Sequence, residues 1–119
     1  MLIKRWLKNK IIESLNDPRI TILYGARQVG KTTLVKEIIK EHNGLYLSCD
    51  EPDIREAFSN KTSSAMKAFI KNATFVVLDE AQRVENIGLS LKLLHDTYPE
   101  IKIIATGSSS FELANKIVE

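Results

Sequence analysis

Gly25-Ala26-Arg27-Gln28-Val29-Gly30-Lys31-Thr32 is the stretch that decides the fold. It satisfies G-x-x-x-x-G-K-[ST], the pattern of a loop that cradles phosphate groups. The run Ile20-Thr21-Ile22-Leu23-Tyr24 before it is short, apolar and β-branched, which predicts a strand. Thr33-Leu34-Val35-Lys36-Glu37-Ile38-Ile39-Lys40-Glu41 behind it carries apolar residues at helical spacing, which predicts a helix. Strand, glycine loop and helix together are the setting the pattern requires. A chance match in an ordinary strand-turn-helix is the competing reading, and the setting argues against it. The stretch therefore implies a chain that binds a nucleoside triphosphate.

The chemistry follows from the residue types. A triphosphate is densely anionic, and inward-facing backbone N–H groups at a helix N-terminus replace its water. Gly25 and Gly30 allow the main chain an approach that a Cβ would block. Lys31 brings an ammonium to the β- and γ-phosphates, and the Thr32 hydroxyl is suited to Mg²⁺. Arg27 and Gln28 occupy variable positions. Arg27 either reaches a phosphate or an acidic neighbour, or stays solvated.

Phe75-Val76-Val77-Leu78-Asp79-Glu80 is a second signal: an apolar run closed by two acids. It predicts a buried parallel strand whose C-terminal end carries the carboxylates. Ligands of open α/β sheets bind beyond the C-terminal strand ends, so Asp79 belongs beside the phosphate loop as a magnesium-holding residue. Glu80 points elsewhere and is suited to polarising the attacking water. Ile101-Lys102-Ile103-Ile104-Ala105-Thr106-Gly107-Ser108-Ser109-Ser110 is a third strand that empties into small polar residues. If it lies between the other two strands, Thr106 or Ser108 offers a hydroxyl to the γ-phosphate. The plainer role is a turn at Gly107 with a serine capping the next helix.

Leu45-Tyr46-Leu47-Ser48-Cys49 provides a further strand between the two motifs in sequence. With Glu80, it favours ATPases of the additional-strand, catalytic-glutamate branch over GTPases. Asn60-Lys61-Thr62-Ser63 begins like the guanine signature N-K-x-D, but lacks its Asp and precedes the acidic strand.

Taken together, GARQVGKTT, FVVLDEAQ and IIATGSSS resemble the AAA-type ATPase family of bacteria and archaea, over roughly residues 18 to 114. The resemblance implies ATP as nucleotide, Mg²⁺ as cofactor and hydrolysis of the β–γ bond. It implies nucleotide contacts from Gly25, Ala26, Arg27, Gln28, Val29, Gly30, Lys31, Thr32 and Thr33, with Thr106 or Ser108 as sensor. Thr32 and Asp79 are the implied metal residues, and Lys31 and Glu80 the implied catalytic ones. Gln82 acquires no role. Family members continue into another strand, a Gly-Arg pair and a helical lid. The expected fold is thus a three-layer α/β P-loop domain with a parallel sheet, cut short before the last strand and lid. Arg55 and Arg83, the arginines that follow the loop, do not stand where an arginine finger is expected.

Length and composition agree. A chain of 119 residues is one domain, read as a helix over 1–17 and a nucleotide-binding core over 18–119. Hydrophobic content of 44% and charged content of 27% are those of a soluble globular protein. The net charge of +2 is too small to argue for nucleic acid as a partner. One cysteine, Cys49, excludes an internal disulfide and is expected to pack in a strand. No apolar run reaches membrane-span length, and no signal-peptide core appears, so a cytoplasmic setting is expected. Leu2, Ile3, Trp6, Leu7, Ile11 and Leu15 predict a helix over 2–15 with a basic face, suited to solvent, nucleic acid or a second subunit. Asn16-Asp17-Pro18 ends it. Asn43-Gly44 is expected to cap the loop helix, and Pro52 to open another. Helices are predicted over 53–59, 63–71 and 87–97. His42 and His95 lack metal-ligand spacing.

Three rivals to an ATPase follow: a nucleotide-binding module without turnover, a small-molecule kinase, and a nucleic-acid-linked motor. A homo-oligomer fits the resemblance, since related ATPases often complete their sites across subunits.

Overall fold

The computed structural model describes residues 8–9, 11–24, 31–59 and 62–107, with the side chains of Tyr24 and residues 31–34 left aside. Within them, the four apolar runs form strands β1 (Thr21–Tyr24), β2 (Gly44–Ser48), β3 (Phe75–Asp79) and β4 (Lys102–Gly107). Helix α1 spans Lys31–Glu41, α2 Pro52–Ser59, α3 Ser63–Ile70 and α4 Ile87–Thr97. A 3₁₀ turn at Ala81–Arg83 follows β3. Residues 11–14 are helical, as expected of the N-terminal segment, most of whose other residues lie outside those described.

The strands make one parallel sheet in the order β1-β4-β3-β2. Crossover helices cover both faces, which is why β3 reads as an unbroken apolar run: all of Phe75–Asp79 is buried. Side chains alternate across a strand, so each strand feeds two cores. Phe75, Val77 and Ile104 meet Val35 and Ile38 of α1 and Ile11 of the N-terminal helical segment. Val76, Leu78, Ile103 and Ala105 meet Ile54 and Phe58 of α2, Met66 and Ile70 of α3, and Leu91 and Leu94 of α4. This is the expected three-layer α/β arrangement. Each fully buried side chain such as Leu78 or Phe58 contributes about 1.5–3 kcal/mol.

Polar contacts fix the joints. The Ser90 hydroxyl donates to the Phe58 carbonyl at 2.5 Å, tying α4 to α2. At the N-terminal edge of the sheet, buried Lys102 donates to the carbonyls of Asp17 (2.8 Å) and Arg19 and to the Thr21 hydroxyl (2.6 Å). The turn after the N-terminal helical segment is thereby pinned to β4, at the end opposite the strand C-termini. Burial holds the Lys102 ammonium below the usual lysine range.

Two boundaries differ from expectation for physical reasons. Asn43, at φ 56°, takes the left-handed position beyond α1, while Gly44 is already the first residue of β2. Gly44 is required by space: a Cβ there would sit 2.2 Å from the Phe75 ring on the paired strand. The helix predicted over 63–71 stops at Ile70, because Lys71 turns to φ 56°. The expectation of a missing last strand and lid concerns chain beyond 107, outside the described residues.

Candidate functional site

β4 inserts between β1 and β3, as the sensor reading required, and puts Thr106 beside Asp79. Leu78 pairs with Ala105, so the next residue on each strand lies at the same level. The Thr106 hydroxyl donates to Asp79 Oδ1 at 2.5 Å. The Glu80 N–H donates to the same oxygen at 3.1 Å, and the Tyr46 hydroxyl donates to Oδ2 at 2.6 Å. Asp79 is 8% exposed, a carboxylate buried at the C-terminal edge with donors on both of its oxygens. It shares strand parity with Phe75 and Val77, so it stands on the face covered by α1.

Glu80 leaves the strand in the left-handed region, φ 56° and ψ 44°. For a residue with a Cβ this costs about 1–2 kcal/mol. The turn sends the Glu80 side chain away from the line of β3, and it is 3% exposed. Gln82, in the 3₁₀ turn, donates its amide N–H to Glu80 Oε1 at 2.8 Å. The Asp79 carboxylate thus accepts from Tyr46 and Thr106, and the Glu80 carboxylate from Gln82.

The loop residues Gly25, Ala26, Arg27, Gln28, Val29 and Gly30 and the sensor candidate Ser108 lie outside the described residues. Lys31, Thr32 and Thr33 open α1, directly after the stretch that leaves β1. Parallel pairing places the ends of β1, β4 and β3 on one edge of the sheet. The start of α1 and the Asp79 carboxylate thus belong to the same end of the molecule.

Two arginines were left over by the sequence, and both serve the turn after β2. Arg83 pairs with Asp50 at 2.6 Å, and Arg55 donates to the carbonyls of Asp50 (2.9 Å) and Cys49 (3.3 Å). Asp50 is an exposed loop acid. Cys49 is fully buried, and its N–H donates to the Asp79 carbonyl at 2.8 Å. Burial pushes its thiol up to about 12, with Asp79 and Asp50 adding to the effect. Among the described residues no His, Cys, Asp and Glu cluster suited to a metal by itself appears, and no helix is long and apolar enough to cross a membrane.

The family model described as "AAA domain" matches residues 17–119. The chain belongs to this AAA domain family. The family-level function is ATP-binding and ATPase-like. The chain is 36% identical to the uncharacterized protein MJ1637 of Methanocaldococcus jannaschii, over 90% of this chain and 25% of that protein. It is 28% identical to the uncharacterized protein MJ1544 of the same organism, over 98% of this chain and 26% of that protein. The chain thus spans about a quarter of the length of these relatives. Among solved structures, a Walker-type ATPase of Pyrococcus abyssi superposes with a TM-score of 0.60 at 22% identity. That match covers 92% of this chain and 46% of the other, and shows the shared fold.

Tyr46 and Gln82 are the residues that sequence reasoning missed. Tyr46 read as one of five strand residues, and only the register between β2 and β3 brings its hydroxyl to Asp79. Gln82 carried a faint signal, two residues after Glu80, the spacing of a side chain that folds back across a tight turn.

Proposed function

We propose that this AAA domain binds Mg-ATP and hydrolyses its β–γ bond. The observation that carries the reading is the buried Asp79 carboxylate at the C-terminal edge of β3, bonded to Thr106 of the strand that separates β3 from β1. An oriented, buried acid at the same end of the sheet as the start of a loop helix suits a divalent cation with phosphates.

The roles follow the residue chemistry. Gly25 to Thr33 supply backbone donors to the phosphates, and Lys31 adds its ammonium at the β- and γ-groups. Thr32 and Asp79 hold magnesium, directly or through water. Bound there, the ion would offset the charge that develops on the phosphate oxygens. Glu80 orients the attacking water and takes its proton. Thr106 or Ser108 reads the γ-phosphate. Thr106 gives its one hydroxyl proton to Asp79 in this structure, so it would read the γ-phosphate only by turning that proton away from the acid. Residues 18–119 form the nucleotide-binding core, and a cytoplasmic setting accompanies ATP as ligand.

The test is phosphate release by the purified chain with ATP, in Mg²⁺ and in EDTA. Glu80→Gln is expected to lower turnover about 10²–10⁴-fold while ATP still binds. Release that ignores both Mg²⁺ and the substitution would overturn the reading. A second reading is a nucleotide-binding module without turnover. It is favoured by the commitment of Arg55 and Arg83 to the Asp50 turn, away from any finger role. Tight Mg-ATP binding with no phosphate release would select it. Phosphorylation of an added acceptor without free phosphate would instead mark a kinase, and stimulation by DNA or RNA a motor.

A further inference from the structure

We infer that Tyr46 is a positioning residue for the Asp79 carboxylate, and that its hydroxyl sets the strength of magnesium-dependent nucleotide binding. The inference rests on the reading of Asp79 as the metal-holding acid.

The geometry begins with register. Ser48 pairs with Asp79, and Tyr46 with Val77. Residues two apart on a strand share a face, so Tyr46 and Asp79 stand on the α1 side of adjacent strands. The phenol is long enough to span the diagonal, and its hydroxyl donates to Asp79 Oδ2 at 2.6 Å. Thr106 and the Glu80 N–H both act on Oδ1. Tyr46 adds its donor on the other oxygen, Oδ2. Donors on both oxygens fix the plane of the group.

The ring is itself held. It packs against the core beneath α1, and Lys36 Nζ of α1 lies 5.0 Å from the ring centroid. Tyr46 therefore links the loop helix, β2 and the acid at the end of β3. A phenol hydroxyl also suits the task electrically. It bonds a carboxylate strongly because the acceptor is charged, yet it brings no positive charge of its own to compete with a dication. A lysine or arginine at this place would neutralise the group it positioned.

The experiment uses the purified chain and a fluorescent ATP analogue, titrated in Mg²⁺ and in EDTA. The readout is the ratio of the two affinities, for the wild-type chain, Tyr46→Phe and Asp79→Asn. Phenylalanine keeps the ring and its packing, and a circular-dichroism melt checks that the variant folds. Tyr46→Phe is expected to lower the ratio about tenfold, and to raise the Mg²⁺ midpoint by a similar factor, with the EDTA affinity unchanged. Three results would overturn the inference. In the first, Tyr46→Phe keeps the wild-type ratio while Asp79→Asn collapses it; Asp79 then holds the metal without help from Tyr46. In the second, both affinities of Tyr46→Phe fall together, the mark of a merely structural role. In the third, Asp79→Asn keeps the wild-type ratio, which removes the metal reading on which the inference stands.

Discussion

Asp79 and Cys49 are buried neighbours at the strand ends, joined by the bond from the Cys49 N–H to the Asp79 carbonyl. Asp79 is surrounded by donors. The Cys49 thiol is buried with carboxylates nearby, so its charged form is disfavoured. Cys49 is therefore expected to resist Ellman's reagent at pH 8 in the folded chain and to react fully in denaturant; rapid native labelling would contradict its burial. The alkaline consequence has a definite sign. The folded thiol titrates at about 12 against an ordinary 9.0, so its contribution is complete below pH 9 and is lost as pH rises toward 12. A Cys49→Ser chain, measured by urea unfolding across that window, is expected to lack this part of the alkaline decline. At this scale the sequence was partly legible. Four apolar residues closed by Asp79 and Glu80 announce a strand that ends in acids, whatever lies next to it. Tyr46 was hidden because its role depends on a register that no local pattern contains.

At the scale of elements, Gly44 and Phe75 illustrate how pairing constrains composition. Their strands are paired residue for residue, and the Phe75 ring occupies the space above Gly44. Gly44→Ala inserts a carbon against aromatic atoms that are themselves buried. It is expected to destabilise the chain by about 1–3 kcal/mol in urea unfolding, the usual cost of overpacking. A double substitution with Phe75→Leu, which shortens the ring to a smaller side chain, is expected to recover part of that loss; independent, additive effects would argue against the contact. The glycine read from sequence as a helix cap was the right residue type assigned to the wrong constraint. Asn43 provides the left-handed turn, because its short polar side chain tolerates that backbone. Strands and helices themselves were legible because their periodicities differ: α2, α3 and α4 begin within a residue of expectation.

At the scale of the whole molecule, a ligand gripped at the strand ends engages α1, β3 and β4 together. Binding to the folded state alone stabilises it by mass action, about 2.7 kcal/mol at a hundredfold excess over Kd. Mg-ATP is expected to raise the thermal midpoint of the wild-type chain and to leave that of Lys31→Ala unmoved; equal shifts would detach the effect from the loop. The order of the sheet was legible only conditionally. The motifs suggested a sensor strand between the other two, and the pairing of β4 with both β1 and β3 supplies it. That interleaving also bears on how the protein is made. Thr21–Tyr24 emerges early from a ribosome, but its partner in the sheet is Lys102–Gly107, synthesised some eighty residues later. Until then the nascent strand presents unsatisfied amides and apolar side chains to the cell. A pause in translation ahead of Ile101 would thus prolong the interval in which a holding chaperone is most needed.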